Sequence, residues 1–212
     1  MQRILIIDDH EVVRDGVKRI LDDQSGSFEF GEADTPHLAI QQVSAQDWDI
    51  AILDLSLGER SGLEVLKEIK KIRPKLPVLI LSMHSEEQYA RRAFKSGASG
   101  YITKDCPRAE LVGAIKKVLS GGRYVSPILA EKLVADLEKG SEKLPHEYLS
   151  DREFEVMRLI ASGKTVGQIA ELLALSDKTI STYRARLLEK MGMKNNAEIT
   201  HYAIQNKLTV QN

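Results

Sequence analysis

The sequence predicts an α/β domain built on a five-stranded, doubly wound parallel sheet, followed by a smaller all-α domain of four helices. Short apolar runs alternate with amphipathic stretches over roughly the first 120 residues, the pattern of successive βαβ units. The alternation stops after Gly121-Gly122, and from Ser150 onward there are only helix signals. At 212 residues, the chain has room for two small domains.

The strand candidates are residues 3–7, 28–32, 50–53, 78–81 and 100–102, each too short for a helix and each followed by polar or turn residues. Between them, Val13, Val17, Ile20 and Leu21 share one helical face, as do Leu63, Leu66, Ile69 and Ile72. Ser126-Pro127 opens a further helix with Leu129, Leu133 and Leu137 at four-residue spacing. Residues 138–147 are polar, carry Gly140 and Pro145, and read as a linker. The expected boundaries are a first domain over 1–121, a linker with its helix over 122–144 and a second domain over 145–210. In the second, Ser150-Asp151-Arg152-Glu153 is a capping box, Gly163 a stop, Ser176 an N-cap and Gly192 another stop. These signals place helices near 151–161, 165–173, 177–191 and 195–206.

Composition narrows the function classes. Charged residues make up 29 % and hydrophobic ones 42 %, which argues against a disordered or collagenous chain. No apolar run approaches the ~20 residues needed to cross a bilayer, and Asp8-Asp9 interrupts the N-terminus before a signal-peptide core forms, so the expectation is a cytoplasmic protein with no membrane partner. The single cysteine, Cys106, excludes an internal disulfide and a multi-cysteine zinc site and is expected to pack. Net charge is −1, but residues 143–212 hold 10 basic against 8 acidic residues. Within 178–194 the balance is five basic (Lys178, Arg184, Arg186, Lys190, Lys194) against one acidic (Glu189), which suits a polyanion.

In a doubly wound sheet, function gathers at the carboxyl ends of the strands. Here the first strand ends in Asp8-Asp9, the third in Asp54, the fourth in Ser82 and the fifth shortly before Lys104. One aspartate after a strand commonly caps the next helix. Five polar residues closing four strands converge on one rim. Three carboxylates there need a cation to stay ionised together, and Mg²⁺, a hard ion satisfied by carboxylates, a carbonyl and waters, fits. A lysine ammonium opposite is aimed at whatever anion the metal also holds. His84, two residues past Ser82, reads either as a solvated loop histidine or as a group orienting a water at that bound anion.

Ile-Ile-Asp-Asp-His at 6–10, Ile-Leu-Asp-Leu at 52–55, Leu-Ser at 81–82 and Gly-Tyr-Ile-Thr-Lys-Asp at 100–105 resemble a CheY-like two-component receiver domain. The resemblance implies that Asp54 accepts a phosphoryl group from a sensor histidine kinase and that Asp8, Asp9, Asp54 and the Ser56 backbone carbonyl hold Mg²⁺. It also implies that Lys104 pairs with the phosphoryl group and that Ser82 and Tyr101 form a switch pair. Leu57-Gly58-Glu59-Arg60 departs from the family, which commonly carries a proline there, so a more mobile loop is expected.

In the second domain, two helices joined by Ala174-Leu175-Ser176 have the form of a helix-turn-helix. At 100° per residue, Ile180, Leu187 and Met191 fall on one side of the second helix, while Lys178, Thr182, Ala185 and Glu189, flanked by Ser181 and Arg186, fall on the other. A core stripe opposite small, polar and cationic residues suits a helix in the major groove. Leu149 to Glu153, Gly163-Lys164-Thr165, Ile169-Ala170, Leu175-Ser176 and Lys178-Thr179-Ile180-Ser181-Thr182 resemble the LuxR-type DNA-binding domain. With the receiver, the whole resembles a NarL/FixJ-family response regulator. The expected contacts to double-stranded promoter DNA are Lys178, Thr179, Ser181, Thr182, Arg184, Arg186, Lys190 and Lys194. A homodimer on phosphorylation and RNA polymerase as a further partner are expected with them, and no turnover activity. The face of the last helix carrying Ile199, Tyr202 and Ala203 either pairs two copies or covers Ile180 and Leu187. An aspartate-nucleophile phosphatase, the alternative from another class, uses Asp-x-Asp at the first strand, where this chain has adjacent aspartates.

Overall fold

The computed structural model describes residues 1–24, 27–58, 60–138 and 144–209. It divides into two compact units, Met1–Glu138 and Lys139–Asn212.

In the first unit, strands β1 (Gln2–Ile7), β2 (Phe28–Ala33), β3 (Ile50–Leu53), β6 (Val78–Ser82) and β7 (Gly100–Thr103) form one parallel sheet in the order β2-β1-β3-β6-β7. Four of the five expected strands extend one residue further than the sequence suggested. Residues 4–7 of β1 and all of β3 and β6 are buried, because helices cover both faces and leave no polar side. Helices α1 (Glu11–Asp22) and α5 (Arg108–Leu119) lie together, and α2 (Pro36–Ala45), α3 (Gly62–Ile72) and α4 (Glu86–Lys95) form a second contiguous set. Val17 and Leu21 of α1 join Ile4, Ile6, Ile52, Leu79 and Ile115 in one core cluster. On α3, Leu63, Leu66 and Ile69 are buried, but Ile72, expected on the same face, is 39 % exposed where the helix ends.

Beyond α5, Tyr124 adds a one-residue parallel bridge to Gly100 on the edge strand β7. Helix α6 (Pro127–Glu138) then opens where Ser126-Pro127 predicted. Ser126 Oγ accepts the Leu129 N–H at 3.2 Å, and Leu129 is buried; the side chains of Leu133 and Leu137 lie outside the described residues. Part of the expected linker, 139–143, also lies outside them.

The second unit opens with a 3₁₀ turn, Pro145–Tyr148, followed by α7 (Asp151–Ala161), α8 (Val166–Leu172), α9 (Asp177–Met191) and α10 (Asn196–Gln205). The expected capping box is present: Ser150 Oγ accepts the Glu153 N–H at 3.3 Å and Glu153 Oε2 accepts the Ser150 N–H at 2.7 Å. Thr165 and Gln168 form a second, which the sequence reading had not singled out. Ser176 caps α9, and α9 ends at Gly192, as predicted. Phe154, Met157, Ile169, Ile180, Leu187, Ile199 and Ala203 make the core of this unit, so the Ile199 and Ala203 face of α10 is spent on covering it.

Candidate functional site

The first site lies where four strands end. Asp54 N–H donates to the Ile7 carbonyl at 2.9 Å, so Asp8 and Asp54 leave adjacent strands at the switch point of the sheet. Both residues are only 2 % exposed. β6 ends in Ser82, fully buried, and its carbonyl accepts the Lys104 N–H at 2.9 Å. The Lys104 ammonium stands 2.7 Å from Asp8 Oδ2 and 2.7 Å from Asp54 Oδ2, one cation bridging two buried carboxylates. Asp8 Oδ1 accepts the His10 N–H at 2.9 Å, and His10 Nδ1 lies 2.7 Å from Asp9 Oδ1. The sequence-predicted Asp8, Asp9, Asp54, Ser82 and Lys104 therefore meet on one rim, joined by His10.

The electrostatics follow from burial. Burial raises the Asp54 carboxyl above the ordinary aspartate range, Lys104 only partly reverses this, and the Asp8 charge adds to the rise. Burial also presses the Lys104 ammonium down, but its hydrogen bonds to Asp54 and Asp8 outweigh that and hold it above the ordinary lysine value. Asp54 Oδ1 is buried and has no hydrogen-bond partner, a costly state for a carboxylate oxygen that a cation or a transferred group would relieve. Ligand atoms of Asp8, Asp9, His10 and Asp54 all lie within 4.8 Å of one another. The pocket's geometry and its three carboxylates fit a hard divalent cation.

His84 is anchored. Its N–H donates to Ser82 Oγ at 3.3 Å, its carbonyl accepts the Tyr101 hydroxyl at 2.8 Å, its Nε2 is 3.3 Å from Ser56 Oγ, and its ring stacks on Tyr89 at 4.5 Å. Tyr101 is fully buried. The loop after Asp54, where a mobile segment was expected, pairs Ser56–Leu57 (β4) with Arg60–Ser61 (β5) as an antiparallel hairpin. Gly58 turns it at φ +63°, a conformation that suits glycine. Gly62 is a position that shapes the site and that the sequence pattern does not reveal. A Cβ there would lie 2.3 Å from the Asp54 carbonyl oxygen and 2.5 Å from Leu55 Cα, so α3 can start directly behind Asp54 only with glycine.

In the second unit, α8, a short turn and α9 form the helix-turn-helix. The turn carries Ala174 at φ 51° and closes with Leu175 N–H on the Ala170 carbonyl at 2.9 Å. On α9, Ile180 and Leu187 are fully buried, while Lys178, Ser181, Thr182, Ala185, Arg186 and Lys190 are exposed; Thr179 and Arg184 are half-buried. Lys194, beyond the helix, is exposed. Two of these cations have partners in the fold. Arg184 Nε donates to Asn196 Oδ1 at 2.6 Å, and Lys190 Nζ is 2.6 Å from Glu153 Oε2 of the capping box. Burial pushes the Glu153 carboxyl up, but Lys190 and the Ser150 hydrogen bonds outweigh it and hold the group below the ordinary glutamate value. Tyr202 of α10 joins its hydroxyl to His146 Nδ1 at 2.8 Å.

An acidic rim on a doubly wound sheet, joined in one chain to a helix-turn-helix, defines a DNA-binding response regulator. The response regulator receiver domain matches residues 4–116, and the luxR family of bacterial regulatory proteins matches 147–203. The chain belongs to the NarL/FixJ-family response regulators, which regulate transcription. It is 34 % identical over 209 residues to the response regulator UvrY of Escherichia coli K12, covering 98 % of this chain and 96 % of that one. It is 32 % identical over 206 residues to the response regulator GacA of Pseudomonas viridiflava, covering 97 % and 96 %. Among solved structures it is similar to Salmonella enterica serovar Typhimurium RcsB bound to promoter DNA with a phosphomimetic, at 25 % identity and TM-score 0.59, covering 95 % of this chain and 97 % of that one.

Proposed function

We propose that Asp54 is the phosphoacceptor and that its phosphorylation by a sensor histidine kinase controls binding of α9 to double-stranded promoter DNA. The observation that carries this reading is the buried Asp54 carboxylate, with Oδ2 held by Lys104 and Oδ1 without a partner. Asp54 attacks the phosphorus of a phosphohistidine; a P–O bond forms, the P–N bond breaks and the imidazole leaves. Asp8, Asp9, Asp54 and the Ser56 carbonyl would hold Mg²⁺, which when bound supplies positive charge to the phosphoryl oxygens. Lys104 exchanges a carboxylate oxygen for a phosphoryl oxygen. Ser82 and Tyr101 act as the switch pair through His84, to which both are hydrogen-bonded. Hydrolysis of the acyl phosphate is slow, and the protein turns over no external substrate.

Lys178, Thr179, Ser181, Thr182 and Arg186 read bases or phosphates from α9, with Arg184, Lys190 and Lys194 supplying positive charge at its flank and end. The phosphorylated protein works in the cytoplasm as a homodimer on paired half-sites, with RNA polymerase as a further partner. The test is labelling by acetyl phosphate. The wild type gains one phosphoryl group with Mg²⁺ and none with a chelator, and Asp54→Asn gains none. Full labelling of Asp54→Asn overturns the assignment.

A further inference from the structure

The segment that leaves the phosphoacceptor rim and the segment that opens α6, the last helix of the first unit, are hydrogen-bonded to each other. Glu86 lies in the first turn of α4, two residues after His84, and its Oε2 accepts a hydrogen bond from the Ser126 hydroxyl. The same Ser126 oxygen accepts the Leu129 N–H and so caps α6. Beside it, Tyr124 N–H donates to the Ser99 carbonyl at 2.9 Å and its hydroxyl to Glu110 Oε1 at 2.7 Å. Ser126 and Leu129 are 8 % and 5 % exposed, so the start of α6 is seated against the rest of the first unit. On the other side of Glu86, His84 is tied to Ser82 and Tyr101.

We propose that the Glu86–Ser126 hydrogen bond is a latch through which the phosphoacceptor site controls the helix α6. This rests on the assignment of Asp54 and Ser82 above. When the Ser82 hydroxyl turns to a phosphoryl group on Asp54, it ceases to accept from His84 N–H. The His84 to Glu86 segment then shifts, Glu86 leaves Ser126, and α6 loosens from Leu129 onward.

Hydrogen exchange on the full chain tests this, read in peptides covering 127–138, with the phosphoryl content of the same sample measured by intact mass. Labelling the wild type with acetyl phosphate should speed exchange in α6 about ten- to hundred-fold, the range that losing one hydrogen bond to a charged acceptor allows. Ser126→Asp keeps an excellent N-cap but sets a carboxylate against Glu86, and should give a similar acceleration without any phosphoryl group. Adding Glu86→Gln, whose amide can donate to Asp, should restore slow exchange. Wild-type α6 exchanging equally with and without a phosphoryl group on the protein, or Ser126→Asp exchanging as slowly as the wild type, overturns the latch. A wild type that takes no phosphoryl group fails the Asp54 reading instead, and the Ser126→Asp arm still decides the latch.

Discussion

At the scale of single residues, Lys104 is the counter-charge on which the first site depends. It bridges Asp8 and Asp54 while only 9 % of its side chain is exposed, and removing one partner of a buried ion group costs about 3–5 kcal/mol. Lys104→Ala should therefore lower the thermal midpoint of the receiver in chelator, and Mg²⁺ should recover more of the midpoint in the variant than in the wild type. The same variant should still accept a phosphoryl group while losing the phosphorylation-dependent gain in DNA affinity; a retained gain would remove Lys104 from the switch. Gly62→Ala should destabilise the unit by about 1–3 kcal/mol, because the new methyl meets backbone behind Asp54 and neither can move cheaply; chemical denaturation measures it. Asp8, Asp9, Asp54, Ser82 and Lys104 were legible because strand ends can be read from apolar runs, and a polar residue just past a run has one place to go. Gly62 and the anchoring of His84 were not, since both depend on which backbone or ring the fold brings alongside from elsewhere in the chain.

At the scale of elements, the four helices of the second unit were legible almost to the residue because their caps are local. Ser150, Ser176 and Gly192 act within one turn of where they stand. The β4–β5 hairpin was not legible, having two residues on each side and no period to detect. Nor was the pairing of Lys190 with Glu153, which joins positions far apart in the chain. That pairing has a pH consequence. A carboxyl held low in the fold contributes stability that is complete above its unfolded pKa and is lost as pH falls through the folded value, so the second unit should weaken as pH drops below about 4. Glu153→Gln preserves the capping reach and should flatten that acid limb, measured by exchange of peptides from α7 and α9 between pH 3 and 6. The pairing also divides the two terminal cations of the proposed DNA surface. Lys194→Ala should reduce the salt slope of binding by about 1, whereas Lys190→Ala should reduce it less and cost stability instead. Equal changes in slope with unchanged stability would return Lys190 to the phosphate contacts.

At the scale of the whole molecule, a receiver that stores a phosphoryl group and a module that reads DNA are joined in one chain, and the central claim is that the first governs the second. A single helix-turn-helix makes few base contacts, so specificity calls for two copies on inverted half-sites about one helical turn apart. Coupling between sites within a protein is usually worth about 5- to 150-fold in affinity. The most direct measurement is a titration at fixed salt of a duplex recovered by selection from random fragments, with the wild type and Asp54→Asn, each with and without acetyl phosphate and Mg²⁺. The account predicts that acetyl phosphate raises wild-type affinity within that range and steepens the curve, that a lone half-site loses most of the gain, and that Asp54→Asn does not respond. Wild-type binding that is the same with and without the phosphoryl group, or an Asp54→Asn protein that responds equally, would contradict it.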